Sequence, residues 1–219
     1  MHKKLLLLSL TFFMFTSFTN VASAQSNNIE IARLKQIHKL LDYRFLGGFY
    51  GFEKLFFQTV SYPDQARENC TLGIMIASFT VTCDGRIENI KIRNSLGKQL
   101  DNEVGKFLKA TQGHWNPCQD KKFTHFEIPI QFTLKGTETD STAAALVYEG
   151  GSAGYTCYPD SYYLKKAKQA LEKGKGKKAQ TYLETLIHRN PYETSYYKML
   201  EQAMRSSGKK DKKKHKHKK

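Results

Sequence analysis

The sequence predicts an α+β protein: a three-stranded antiparallel sheet with packed helices, followed by a small helical hairpin segment. Three observations carry this. From Phe126 to Leu134, apolar Phe126, Ile128, Ile130, Phe132 and Leu134 alternate with Glu127, Pro129, Gln131 and Thr133, the period of a strand with one buried face. Earlier, the apolar run Gly73–Val81 and the residues Ile87, Ile90 and Ile92 are joined across Asp84-Gly85, a pair that supplies the positive φ values of a two-residue hairpin turn. Between these, Leu100, Val104, Phe107 and Leu108 recur at helical spacing, so a helix lays one side on the sheet.

Taken in order, Met1–Ala24 reads as a secretory signal. Lys3 and Lys4 open it, Leu5–Phe18 is its apolar centre, and Ala22-Ser23-Ala24 is a small-residue cleavage site before Gln25. The apolar centre falls short of the ~20 residues needed to span a bilayer. Residues 25–58 form an N-terminal helical extension, with Ile29, Leu34, Ile37, Leu40 and Leu41 on one face and a helix end before Gly47-Gly48. Its aromatic stretch, Phe45, Phe49, Tyr50, Phe52, Phe56 and Phe57, reads as core against the sheet. Residues 59–135 hold the sheet. Residues 136–156 read as a linker around a short apolar patch, Ala143–Val147, that is left unassigned.

Residues 157–206 are helical: Tyr163, Ala167 and Ala170, then Ala179, Leu183 and Leu186, lie on successive faces, and Asn190-Pro191 ends the second helix. This segment resembles a single tetratricopeptide repeat at Tyr163, Ala167, Ala179, Leu183 and Pro191. One such repeat cannot bury its own face, and a plain helical hairpin capped by a third helix explains the residues equally well. The 219-residue chain carries +15, of which the Lys/His-rich tail Lys209–Lys219 supplies +7 from eight Lys and one Asp. Without apolar residues, residues 207–219 read as a disordered tail.

The four cysteines, Cys70, Cys83, Cys118 and Cys157, read as disulfides in an exported chain. His114 and His125 flank Cys118, but no Cys-x-x-Cys or His-Glu-x-x-His spacing marks a metal site and no Gly-rich elbow marks a nucleophile. The expectation is therefore no enzyme, no metal and no cofactor. With the helix returning between strands two and three, the strand order is two-one-three. That order puts Cys83 and Cys118 at one end of the sheet and Cys70 and Cys157 at the other, which favours those two pairs.

The stretch Ser61–Leu134 resembles the TonB C-terminal domain family. The matching pieces are Tyr62-Pro63 with Ala66, Gly73 with Phe79 and Val81, Asp84-Gly85, Ser95 with Gly97, Leu100-Asp101, Trp115 with Pro117, and Ile128-Pro129-Ile130 with Phe132. The resemblance implies a periplasmic module that binds an extended peptide of an outer-membrane transporter or another envelope protein. A TonB keeps a membrane anchor and a proline-rich spacer; this chain has five Pro, none clustered, so energy transduction is not carried over with the binding module.

In the order two-one-three the third strand is an edge, and Pro129 argues for an edge independently. The resemblance then implies that the partner adds as a further strand at Phe126, Glu127, Ile128, Gln131, Phe132 and Thr133. The other arrangement has Gly136–Val147 folding back to cover this edge. A different class of function is a structural envelope protein held to anionic surface polymer by its basic tail; nucleic acid is not an expected partner of an exported chain.

Overall fold

The computed structural model describes residues 18–118, 124–139, 143–152, 154 and 156–216. The chain runs α1 (Phe18–Arg44), α2 (Gly48–Thr59), α3 (Asp64–Glu68), β1 (Gly73–Val81), β2 (Ile87–Arg93), α4 (Lys98–Ala110), β3 (His125–Leu134), β4 (Leu146–Gly150), α5 (Asp160–Glu172), α6 (Gly176–Arg189) and α7 (Thr194–Lys216). The segment read as an export signal lies mostly outside the described residues.

The sheet has four strands in the order β2-β1-β3-β4. β1 pairs antiparallel with β2 and β3, and β3 pairs parallel with β4. This corrects the three-strand expectation: the fourth strand is Leu146–Gly150, inside the stretch read as linker. The apolar run there is too short to announce a strand by periodicity, and only the neighbouring β3 gives it a ladder.

One sheet face meets the helices. Met75, Ala77, Phe79 and Val81 of β1 and Phe126, Ile128, Ile130 and Phe132 of β3 share a core with Ile37, Leu41, Phe52, Phe56, Leu100, Val104, Phe107 and Leu108. Trp115 sits at its centre, with ring contacts to Phe45, Phe52, Phe79 and Phe126 at 4.9–6.0 Å, and its indole N–H donates to the Thr111 hydroxyl at 3.1 Å. The aromatic stretch divides: Phe45, Phe52 and Phe56 are buried as expected, whereas Tyr50 and Phe57 are 73% and 50% exposed. Helical geometry is the reason, since α2 turns only one of its faces to the sheet.

The β1–β2 turn also differs from expectation. Thr82 N–H donates to the Arg86 carbonyl at 2.9 Å, so the loop is Cys83-Asp84-Gly85, one residue longer than a two-residue turn. Gly85 takes φ 84°, the left-handed position that closes three-residue hairpin loops.

Two disulfides clamp the ends of the sheet, Cys83–Cys118 with Cα atoms 4.5 Å apart and Cys70–Cys157 with Cα atoms 5.8 Å apart. Near the first, the buried Arg44 guanidinium donates to the carbonyls of Asn116 at 3.2 Å and Thr82 at 3.0 Å. Burial lowers the pKa of this arginine, with Tyr43 opposing.

Helices α5, α6 and α7 form a bundle with its own small core of Ala167, Ala170, Ala179, Leu183, Leu186 and Ala203. It meets the sheet at Gly73, where an added Cβ would lie 2.8 Å from Arg189 Cα, and Arg189 is held by Asp160 at 2.8 Å. α7 runs on to Lys216, which corrects the disordered tail expected from Ser207. Lysine is a good helix former, and a helix already nucleated in the bundle propagates at little cost.

Candidate functional site

The sequence places the partner at a free edge of β3, and the structure closes that edge. Ala145 N–H donates to the Pro129 carbonyl at 2.8 Å, and Lys135 N–H donates to the Gly150 carbonyl at 3.0 Å. A strand residue turns its N–H and C=O to the same side, so Pro129, Gln131, Thr133 and Lys135 all face β4. Pro129 is tolerated because its missing N–H falls where the β4 ladder starts, the position at which a strand can lack a donor. The sequence signal was real, but it marks the end of a ladder and not an edge.

The six expected contact residues are accordingly not presented together. Phe126, Ile128 and Phe132 are 1%, 1% and 0% exposed in the helix-facing core, and Gln131 is 1% exposed. Thr133 is half-buried, and its hydroxyl meets that of Thr139 at 3.0 Å. Only Glu127 is exposed, and it pairs with Arg93 at 2.5 Å.

The sheet's two outer edges differ. On β2 the register with β1 shifts between Ser78 and Thr80, and Asn89 takes φ 54°. That bulge, with exposed Lys91 and Arg93 beside it, is how natural sheets blunt an edge against further strands. β4 pairs in an unbroken register, although it is only five residues long and carries exposed Glu149. The Gly150 carbonyl faces β3, so alternation gives Leu146, Tyr148 and Gly150 the inner bonds and turns the backbone groups of Val147 and Glu149 outward.

Apolar surface borders that outer edge. The Tyr148 ring meets Phe56 and Phe57 of α2, each at 6.1 Å, and Phe132 at 6.0 Å, and Phe57 is half exposed. β4 itself is firmly seated. Leu146 is 1% exposed, and a Cβ at Gly150 would lie 2.6 Å from the Tyr62 ring, so only glycine fits there. Burial, opposed by Arg189, raises the Tyr62 pKa, and its neutral hydroxyl donates to the Thr71 carbonyl. Seven residues past Gly150, Cys157 is bonded to Cys70 and ties down the strand's exit.

Ser61, which leads into this region, is held by α4. Its N–H and hydroxyl donate to the Glu103 carboxylate at 3.0 and 2.8 Å, and Lys106 pairs with the same group at 2.5 Å. Burial would raise the Glu103 pKa, but the Lys106 and Ser61 donors outweigh it and hold the carboxyl below its ordinary value. Neither Gly150 nor Tyr148 drew notice in the sequence; the alternation of Leu146 with Tyr148 was the available signal.

A short helix, a strand hairpin, a returning helix and a third strand, with helices over one face of the sheet, define an α+β domain of the TonB C-terminal kind. Residues 58–134 match the family model of the Gram-negative bacterial TonB protein C-terminal. It is 35% identical over 75 residues to Protein TonB of Neisseria meningitidis serogroup B, which covers 34% of this chain and 25% of that relative. Protein TonB of Neisseria gonorrhoeae is 33% identical over the same length, with the same coverage. The chain thus spans about a quarter of the curated relatives it matches. No solved structure matches it significantly. β4 and the α5–α7 bundle lie beyond the matched residues. No helix among the described residues is long and apolar enough to cross a membrane.

Proposed function

We propose that this is an envelope protein, exported by a cleaved signal ending at Ala24, whose TonB-like sheet takes an extended peptide of an outer-membrane transporter or another envelope component. The observation that carries this reading is the regular outer edge of β4 on a TonB C-terminal domain, next to exposed Phe57. The partner adds beside Leu146–Gly150 instead of beside β3. Main-chain bonds to Val147 and Glu149 supply affinity, and contacts to Phe57 and Tyr148 supply selectivity. No chemical step is assigned to the domain. The α5–α6 hairpin, repeat-like in sequence, is a second protein-docking element in this reading.

The test uses synthetic peptides covering the periplasmic N-terminal segments of the native host's outer-membrane transporters. Binding that is retained by the parent chain and lost in Val147→Pro supports the reading. Absence of binding by every such peptide contradicts the transporter assignment.

A second reading is a structural envelope protein held at an anionic surface by its basic C-terminus. The charge distribution favours it: residues 160–219 carry 18 Lys and Arg against six Asp and Glu, a net +12 of the chain's +15. The two readings are compatible, since the first rests chiefly on the sheet and the second on the charge of the C-terminal segment.

A further inference from the structure

We infer that the α5–α6 turn and the base of the α7 extension form one composite cationic surface that docks on a layer of anionic lipid headgroups. The inference rests on the second reading above and names the surface within the basic C-terminal segment that makes the attachment. Four lysines, Lys173, Lys175, Lys177 and Lys178, stand exposed in and just after the turn. Gly176 presses that turn onto α7: an added Cβ would lie 2.4 Å from the Ala203 carbonyl and from the Ser206 and Ser207 hydroxyls. Gln180 also reaches Ser207 at 3.1 Å. Ser207 is two residues before Lys209, and the backbone continues as helix to Lys216. The lysine-bearing turn is therefore packed on α7 directly before the stretch of backbone that carries Lys209 onward.

Of the four turn lysines, Lys177 has a partner within the fold. Ion pairs in the bundle include Arg189 with Asp160 and Arg205 with Glu201. Lys173, Lys175 and Lys178 make no ion pair among the described residues. Like charges are brought together here at a cost in self-repulsion, which an anionic partner relieves.

The chemistry of the partner follows from the residue type. Lysine is a hydrated point charge without the fork that fixes one carboxylate or phosphate in a single geometry, so this density suits an array of phosphates. Met204, 59% exposed, stands on the same stretch of α7. An exposed apolar side chain on the same cationic helix fits a lipid interface better than a hydrated polysaccharide. Lys209–Lys219 contains no apolar residue, so the attachment is electrostatic and reversible. Each lysine at an anionic leaflet strengthens attachment about fivefold.

The experiment is co-sedimentation of the full chain with vesicles of phosphatidylcholine alone or with one-quarter phosphatidylglycerol. The expected result is binding only to the anionic vesicles, released as salt shortens the Debye length from about 10 Å towards 3 Å. The triple variant Lys173→Gln, Lys175→Gln, Lys178→Gln weakens binding at least about tenfold, as does deletion of 209–219. Circular dichroism of the triple variant matches the parent, because the three side chains are exposed. If deletion abolishes binding and the triple variant binds like the parent, the composite surface is wrong and the tail alone acts. Equal binding to neutral vesicles, or no binding to either, overturns the lipid assignment; the second reading falls with it only if the chain also fails to bind soluble alginate. Competition by soluble alginate at equal charge concentration that strips the chain from vesicles assigns the surface to polysaccharide and also overturns the lipid assignment.

Discussion

Ala145 donates its N–H to the carbonyl of Pro129 at 2.8 Å, and that bond is where β4 starts to close β3. The proline lacks its donor where the β4 ladder starts, and Leu146, Tyr148 and Gly150 complete the ladder. What resembles an edge strand in sequence becomes an interior strand in the fold. The edge moves outward by one strand, to a segment beyond the residues shared with TonB relatives.

Proline substitutions separate the inner and outer sides of this ladder. Val147→Pro removes an N–H that faces away from β3 and leaves thermal stability close to the parent. Thr133→Pro removes one that faces β4 and costs about 2 kcal/mol or more, because a buried acceptor also loses its partner. Chemical denaturation of both variants checks this. Equal destabilisation would show that the phase of the ladder is misassigned.

Arg44 joins the end of α1 to the loops on either side of the Cys83–Cys118 disulfide through the Thr82 and Asn116 carbonyls. Arg44→Met keeps the buried volume but strands both acceptors, and lowers stability by about 3 kcal/mol. Arg44→Lys restores part of this, since a single ammonium cannot reproduce the fork. Urea midpoints of the three proteins decide the order.

All four cysteines are bonded in the isolated protein, as Cys83–Cys118 and Cys70–Cys157. A non-reducing peptide map reports the pairing directly. Cys83→Ser lowers stability by roughly 2–5 kcal/mol, the range for a bond closing a loop of this length in a small secreted domain. Free Cys118, or Cys118 joined to Cys70, would contradict the arrangement of the sheet ends.

Acid reports on Glu103. Its folded pKa lies below the ordinary 4.5, so the folded state binds its proton later than the unfolded chain does. The stabilisation is fully present above the ordinary value and is lost as pH falls through the lowered one. Glu103→Gln, neutral throughout, flattens the stability profile below that ordinary value of 4.5. A profile of unchanged slope would show that other carboxylates carry the acid transition.

The legible parts of the sequence were those in which local pattern and tertiary role agree. The alternation Phe126–Leu134 and the spacing Leu100, Val104, Phe107, Leu108 describe faces that the structure does bury. The disulfide pairs followed from strand order alone, because placing β3 beside β1 fixes which cysteines share an end. Misread features depended on a neighbour absent from the local pattern. Pro129 signals a missing donor but not which side of the strand lacks it. Leu146–Gly150 is a strand only because β3 offers it a ladder. Lys209–Lys216 carries no apolar residue, and its helix is inherited from the bundle core around Ala203. Tyr50 and Phe57 are apolar in type yet exposed, which a count of aromatics cannot reveal.

Residue-resolved amide hydrogen exchange on the isolated chain decides whether this TonB-like sheet presents β4 and not β3 to a partner. The expected result is slow exchange at Gln131 and Thr133 and fast exchange at Val147 and Glu149, with the latter pair slowing when a transporter peptide binds. Fast exchange at Gln131 and Thr133 without peptide, followed by their protection on binding, would contradict it and return the binding edge to β3.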